Sequence, residues 1–348
     1  MSTAIDVALA GHRLAERRRL SLTLALAGAV AASFVFDVAT GPALLRPGEV
    51  VATLLDPAGA DGALRAIVWD LRLPMAVMAL VVGLALGTSG AAMQTLLDNP
   101  LASPYTLGLA AAAGFGASLA IQFGGWGLNA LFMVPACAFG MSCVAVAIIL
   151  GVGNVRGMMG DTMILAGIAV MFLFTSLQSL IQYRATPEVG QQLVFWMFGS
   201  LAKANWTNIL VTAATMLIAL PYLMRRAWQM TAVRLGEDRA RSLGVGVGRL
   251  RLVAIVLVSL MTATAISFVG TIGFVGLVAP HIARMLVGED QRFLLPLAGI
   301  AGAAMLSLSS VASKIIVPGA LVPIGIVTAL VGVPFFFHLV VTRQRSGR

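Results

Sequence analysis

Ten apolar stretches, separated by short polar joins, decide what this chain can become. They lie at about 20–40, 72–96, 106–124, 130–152, 162–183, 207–224, 249–270, 278–287, 294–315 and 322–341. About 20 apolar residues cross a bilayer as a helix. A lipid-embedded chain must satisfy its own backbone polar groups, and helices do so within one segment. The eighth stretch is too short to span. Such segments persist at membrane depth only when buried in protein or lining a cavity. Charged residues are 11% of the 348, against roughly 25% in soluble domains. The expectation is an all-α polytopic membrane protein of about ten transmembrane helices, a single domain over 1–348.

Arginine and lysine give the orientation. With the N-terminus inside and strict alternation, 17 of the 23 basic residues fall inside. Arg46, Arg65, Arg72, Arg184, Lys203 and Lys314 fall outside. This is the positive-inside bias. It puts both termini on the cytoplasmic side and accounts for the net charge of +9 without a nucleic-acid partner. A cleaved leader has an apolar core of roughly 7–15 residues; the first stretch exceeds that and reads as a helix. The outside stretch 41–71, with Pro42, Pro47 and Pro57, reads as a structured loop with short helices. Cys137 and Cys143 are six apart within one span and do not share a helix face. A disulfide between them is not expected, and neither is a thiolate metal site.

Two blocks marked by proline and glycine occupy comparable places in the two halves. One runs from Arg72 through Gly83, Gly87 and Gly90 to Pro104. The other runs from Arg249 through Gly270, Gly273 and Gly276 to Pro280. The first starts outside and the second inside, the arrangement of an inverted repeat with interrupted segments in matching positions. Gly83, Gly87 and Ala91, and likewise Gly108, Ala112 and Gly116, recur at helical spacing and predict close helix packing.

The densest charge cluster is Arg234-Leu235-Gly236-Glu237-Asp238-Arg239-Ala240-Arg241-Ser242-Leu243-Gly244. It reads as a short amphipathic helix bounded by Gly236 and Gly244, with Glu237 and Arg241 paired at i, i+4. A membrane chain that gathers polar chemistry in one internal loop uses it to touch a soluble partner.

Further motifs stand in a fixed order. They are Leu71-Arg72-Leu73-Pro74, Ser89-Gly90-Ala91-Ala92-Met93-Gln94, Asn99-Pro100-Leu101-Ala102-Ser103-Pro104, Leu165-Ala166-Gly167, and Phe195-Trp196-Met197-Phe198-Gly199-Ser200-Leu201. After the charged loop come Ile272-Gly273-Phe274-Val275-Gly276-Leu277-Val278-Ala279-Pro280-His281 and Pro323-Ile324-Gly325 through Val333-Pro334-Phe335-Phe336. In this order they resemble the permease subunits of ABC importers of the iron-siderophore, haem and vitamin B12 (FecCD-like) class. The resemblance covers Val68 to the C-terminus.

That resemblance implies a homodimer with the path on its dyad, in the bacterial cytoplasmic (inner) membrane. It implies two cytoplasmic ATPase subunits, which carry the ATP and Mg, and a substrate-binding protein outside. A ferric siderophore is the implied substrate, with haem and cobalamin as alternatives. It assigns ATPase coupling to about 231–244, on Arg234, Leu235, Gly236, Glu237, Arg239, Ala240, Leu243 and Gly244. It assigns the cytoplasmic gate to Asn99, Leu101, Gly160 and Asp161, and docking of the binding protein to Arg72 and Lys314. Met163, Gly167, Met171, Phe174 and Gln178 read as either path lining or core packing. The chain departs from the pattern at Met75, where the family has Arg. It also has Ser309-Ser310 in place of an acidic residue, and Leu321-Val322-Pro323 in place of Glu-Leu-Pro.

The only lysines, Lys203 and Lys314, stand in no Gly-x-x-x-x-Gly-Lys-Ser/Thr loop, so ATP hydrolysis by that loop is excluded. No cofactor or metal is expected in the chain itself. Asp37 lies near the outer end of the first span and no Glu is central in any span. That scarcity counts against an ion-coupled secondary transporter, since intramembrane ionisable residues mark such pathways. A passive structural role leaves the charged loop unexplained. His281, beside Pro280, reads as a helix-start residue, and His338 as a similar one near an inner end.

Overall fold

The computed structural model describes residues 2–41, 45–124 and 130–343, with side chains for 17–41, 45–124, 132–337 and 341. Pro42 and the His338 side chain lie outside the described set. The helices are α1 Ser2–Ala39, α2 Pro47–Leu55, α3 Gly62–Arg65, α4 Leu73–Leu96, α5 Leu109–Phe123, α6 Ala130–Arg156, α7 Gly160–Arg184 and α8 Pro187–Met197. They continue as α9 Trp206–Arg225, α10 Ala227–Val233, α11 Glu237–Ser242, α12 Val247–Val269, α13 Val275–Val287, α14 Gln291–Ile315 and α15 Ile324–Arg343. A π-helical turn, Ala66–Arg72, leads into α4.

All ten apolar stretches are helices. Among the described residues, seven helices are long and apolar enough to cross a membrane, and Leu109–Phe123, Val275–Val287 and Ile324–Phe337 are shorter apolar segments. The segment between α1 and α4 holds α2 and α3, tied down where Trp69 Nε1 donates to the Thr53 carbonyl at 3.0 Å. Proline begins α2 and α8, where its missing N–H costs nothing. Asn205 caps α9, its side chain accepting from the Asn208 N–H at 2.9 Å. Cys137 and Cys143 are free thiols.

The two halves repeat in length. α4 to α7 have 24, 15, 27 and 25 residues, and α12 to α15 have 23, 13, 25 and 20. In each set the second helix is short and packs on the third. At 1.5 Å per residue, α13 is about 20 Å long, less than a bilayer core of about 30 Å. It survives by burial: Val275, Val278, Ala279, Pro280 and Ala283 are buried. His281 lies in the second turn of α13 rather than at its start, because the helix begins at Val275; its ring meets Phe335 edge-on at 6.1 Å.

α4 and α14 form the centre. A Cβ on Gly83 would lie 2.7 Å from the Ala303 Cα, and one on Gly302 3.1 Å from the Gly87 Cα. Backbone stands on both sides, so nothing can yield. The small-residue spacing is therefore packing, as on Gly116, where a Cβ would meet the α6 backbone 2.6 Å away at Cys137 C.

Candidate functional site

The charged loop folds as expected from its glycines. α10 is buried through Ala227, Met230, Ala232 and Val233, and Gly236 then opens α11 at φ +108. Gly244 ends α11 at φ +80. Val245 N–H donates to the Ala240 carbonyl at 3.0 Å and Gly244 N–H to Arg241 at 2.9 Å, closing a Schellman motif. A Cβ at Gly236 or Gly244 would meet nothing within 4 Å, so dihedral angle, not space, requires glycine at both. Glu237 and Asp238 occupy the first turn and Arg239 and Arg241 the last, each favourable to the helix dipole. Arg241 Nη2 pairs with Glu237 Oε2 at 3.1 Å, the expected i, i+4 contact. Ala240 is fully buried. Leu235, Asp238, Arg239, Arg241 and Leu243 are exposed.

The turn after α4 is built to be stiff. Asn99 N–H donates to the Gln94 carbonyl at 3.1 Å, again a Schellman closure, with Asp98 at φ +46 where glycine is usual. The Asn99 side chain accepts from the Leu101 N–H at 2.8 Å, an Asx turn ahead of an exposed Leu101. Ser103 and Thr106 lock the next turn, since Ser103 N–H donates to Thr106 Oγ1 at 2.9 Å and Thr106 Oγ1 to the Ser103 carbonyl at 2.9 Å. Gly160, the first residue of α7, abuts this turn. A Cβ there would lie 3.1 Å from Leu97 C. Asp161 follows, exposed, in the first turn of α7. The structure thus brings Asn99, Leu101, Gly160 and Asp161 to one end of the bundle.

Arginines join this turn to the charged loop. Arg234 pairs with Asp98 through Nη1 and with Glu289 through Nη2 at 3.1 Å. Arg284 Nε meets Glu289 at 3.0 Å, and its Nη1 donates to Gln94 Oε1 at 3.1 Å. Arg251 donates from Nε to the Leu96 carbonyl at 2.7 Å, from Nη1 to the Met158 carbonyl, and from Nη2 to Glu237 at 2.7 Å. Sequence reasoning missed Asp98, Arg251, Arg284 and Glu289 as members of this site. Apart from the Arg284–Glu289 pair, their partners are remote in sequence, so no spacing announces them; the charge count grouped only Arg251 and Arg284 with the charged loop. Among the described residues, no three His, Cys, Asp or Glu side chains gather to hold a metal ion.

One expectation requires correction, and one open choice is decided. Arg72 and Lys314 do stand at the opposite end, but both are buried, so neither offers a rim charge for direct docking. Lys314 Nζ lies 2.7 Å from Asp37 Oδ1, and Arg72 Nη1 donates to the Ala39 carbonyl at 2.8 Å. Both hold the end of α1. The Met163, Gly167, Met171, Phe174, Gln178 stripe packs inward on α7. Met163 is fully buried, and Gly167 faces Leu107, whose Cα would lie 2.8 Å from an added Cβ. A Cβ on Gly108 would lie 3.0 Å from the half-buried Met171 Cα. Phe174 meets the Phe115 ring at 5.7 Å, and Gln178 contacts Met197 Sδ at 2.8 Å. The stripe is core packing, so the face of α7 left open is the opposite one.

The far end is knit by backbone. Ser200 N–H donates to the Val269 carbonyl at 2.7 Å, Gly325 N–H to Phe198 at 2.9 Å, and Ile324 N–H to Gly199 at 3.2 Å. Gly199, at φ +70, and Gly325 allow these strands of irregular chain to touch. The Phe195–Leu201 and Pro323–Gly325 motifs are thereby two sides of one junction.

Comparisons with known proteins agree with this architecture. The sequence profile of the FecCD transport family matches residues 29–342. A protein of Methanocaldococcus jannaschii described as an ABC transporter permease is 36% identical, covering 94% of this chain and 96% of the relative. The permease of the iron(3+)-hydroxamate import system of Bacillus subtilis is 35% identical, covering 81% and 72%. A solved structure of a metal-chelate type ABC transporter, inward-facing, superposes with TM-score 0.81 at 30% identity, covering 92% and 99%. Family profile, relatives and fold coincide over nearly the whole chain: it belongs to the FecCD transport family and is a multi-pass permease of the ABC importer class.

Proposed function

We propose that two copies of this chain form the membrane path of an ATP-driven importer of ferric siderophores. Each copy seats α11 on one of two ATPases, which bind ATP and Mg and sit on the cytoplasmic side with both chain termini. A binding protein delivers the chelate at the outer end. The observation that carries this reading is the surface of α11. It buries Ala240 and presents Leu235 and Leu243, 58% and 55% exposed, beside Asp238, Arg239 and Arg241. Two large apolar side chains on a charged loop suit insertion into a soluble partner. The path is assigned to the open face of α7, formed by Leu165, Ala169, Phe172, Ser176, Ser179 and Tyr183, all exposed. Three hydroxyls on one face of a span suit a polar conduit between copies better than lipid. The iron-hydroxamate relative supports the substrate class.

The test is ATP-dependent uptake into vesicles holding this chain, its ATPase and its binding protein. A ferric hydroxamate, haem and cobalamin are offered in parallel. Uptake of the hydroxamate alone supports the assignment; uptake of haem or cobalamin alone replaces the substrate. ATP hydrolysis with no uptake of any of the three removes it.

A further inference from the structure

We propose that Arg251 is the positioning residue that makes the coupling helix α11 and both gate turns move as one body. The inference rests on the importer reading above and names the part that transmits the ATPase stroke. One guanidinium holds three separate segments. Its Nε donates to the carbonyl of Leu96, the last residue of α4, at 2.7 Å. Its Nη1 donates to the carbonyl of Met158, in the turn before α7. Its Nη2 donates to Glu237, the first residue of α11, at 2.7 Å.

Burial decides between Arg251 and the other candidate, Arg234. The Arg251 side chain is 3% exposed and that of Arg234 27%. Arg234 reaches Asp98, 74% exposed, so water can replace that contact and the pair can open cheaply. Arg251 has two backbone acceptors that cannot swing away. A buried arginine stripped of its partners is strongly penalised. The guanidinium is planar with donors in a fixed fork, so its three acceptors are held at set angles, which a lysine ammonium does not impose. Gly160 completes the unit by letting the start of α7 lie against Leu97. A displacement at Glu237 therefore reaches Leu96, two residues before Asp98, and Met158, two residues before Gly160, without passing through a flexible join.

The test uses the full complex in vesicles with Arg251→Met, Arg251→Lys and Glu237→Gln. Spin labels at Arg239→Cys and Leu101→Cys, with both native cysteines replaced and labelled chain diluted in unlabelled chain, report the distance from α11 to the first gate turn. In the parent, this distance keeps its mean and width between nucleotide-free and ATP-trapped states. In Arg251→Met it broadens, hydrolysis persists within about twofold, and ferric hydroxamate taken up per ATP falls at least tenfold. Arg251→Lys keeps the melting temperature and loses most of the coupling. Glu237→Gln keeps both backbone contacts of Arg251 and so guards against a folding defect. It is expected to lower uptake per ATP at least threefold at unchanged melting temperature. Parent-like distance and uptake per ATP in Arg251→Met overturn the proposal, even where melting falls. So does a parent-like ratio in Glu237→Gln when Arg251→Met fails to assemble. A parent complex that hydrolyses ATP without hydroxamate uptake sinks the substrate reading, and the distance measurement then decides Arg251 alone.

Discussion

Replacing Lys314 by methionine separates an internal anchor from a docking charge. Lys314 Nζ donates to Asp37 Oδ1 at 2.7 Å and to the Asp37 carbonyl at 2.9 Å, and Ser310 Oγ donates to the same carboxylate at 2.9 Å. Asp37 is fully buried and Lys314 is 4% exposed. Removing one partner of a buried pair costs about 3–5 kcal/mol, because the other charge is left uncompensated. Unfolding entropy of about 2.1 cal/mol/K per residue gives about 0.7 kcal/mol/K over 348 residues. The melting temperature of Lys314→Met should therefore drop by about 4–7 °C. The double variant Asp37→Leu, Lys314→Met removes both charges and should recover most of that loss. Melting is followed by light scattering of the detergent-solubilised chain, and binding-protein association by surface capture across salt concentrations. An unchanged melting temperature in Lys314→Met, with a slower salt-dependent on-rate, would refute the burial argument and restore Lys314 as a rim charge.

Three other outcomes follow from the end that carries the charged loop. Gly236→Ala should destabilise the complex by about 1–3 kcal/mol, since φ +108 is open to glycine and no neighbour obstructs the methyl; a parent-like melting curve would show the loop refolding around it. Asp98→Ala should cost about 1 kcal/mol and Asp98→Gly nothing measurable, because the left-handed turn dominates over a half-exposed ion pair; equal losses in the two would reverse that ranking. The hydrogen bond from Arg292 holds the Asp290 carboxyl below its ordinary 3.8. Its stabilisation is complete above that value and is lost as pH falls through the lowered one, so Asp290→Asn should lower the melting temperature at pH 7 and make no difference under acid strong enough to protonate the parent.

The helices were readable because lipid imposes one pattern: apolar length. The end of α12 at Gly270 followed from its glycine, but the starts of α5 and α13 did not: the apolar stretches begin at 106 and 278, and the helices at Leu109 and Val275. The turns were readable too, because Gly236, Gly244 and Asn99 serve local geometry. What sequence could not supply was direction around a helix. α7 carries polar residues on both faces, Gln178 in its packed stripe and Ser176, Ser179 and Tyr183 on its open one, set among apolar neighbours, so periodicity does not separate the two. Nor could it supply depth. The charge count put Arg72 and Lys314 at one end together, as the structure does, but their burial depends on Val38, Ala39 and Asp37, far away in the chain. Arg251 escaped notice for the same reason: its three partners come from three other segments.

The two ends of the bundle differ in what holds them, and this makes a final prediction. At the end that carries the charged loop the segments meet through long side chains: Arg234 with Asp98 and Glu289, Arg284 with Glu289, and Arg19 with Asp290 at 3.9 Å. At the opposite end the backbone bonds Ser200 to Val269, Ile324 to Gly199 and Gly325 to Phe198 stand beside the Asp37–Lys314 pair, which is buried away from mobile ions. Partly exposed ion pairs weaken as salt rises, with a screening length of about 8 Å at physiological ionic strength and about 3 Å at 1 M. Backbone bonds between neutral groups lack that dependence. Raising salt should therefore loosen the turns around the charged loop while leaving the backbone junction at the opposite end unchanged. Amide hydrogen exchange measured at low salt and at 1 M tests this. Exchange at 97–103 and 234–238 should quicken several-fold, with 199–201 and 324–326 unaltered. Equal acceleration at both ends, or none around the charged loop, would mean that the ion pairs do not restrain the turn after α4.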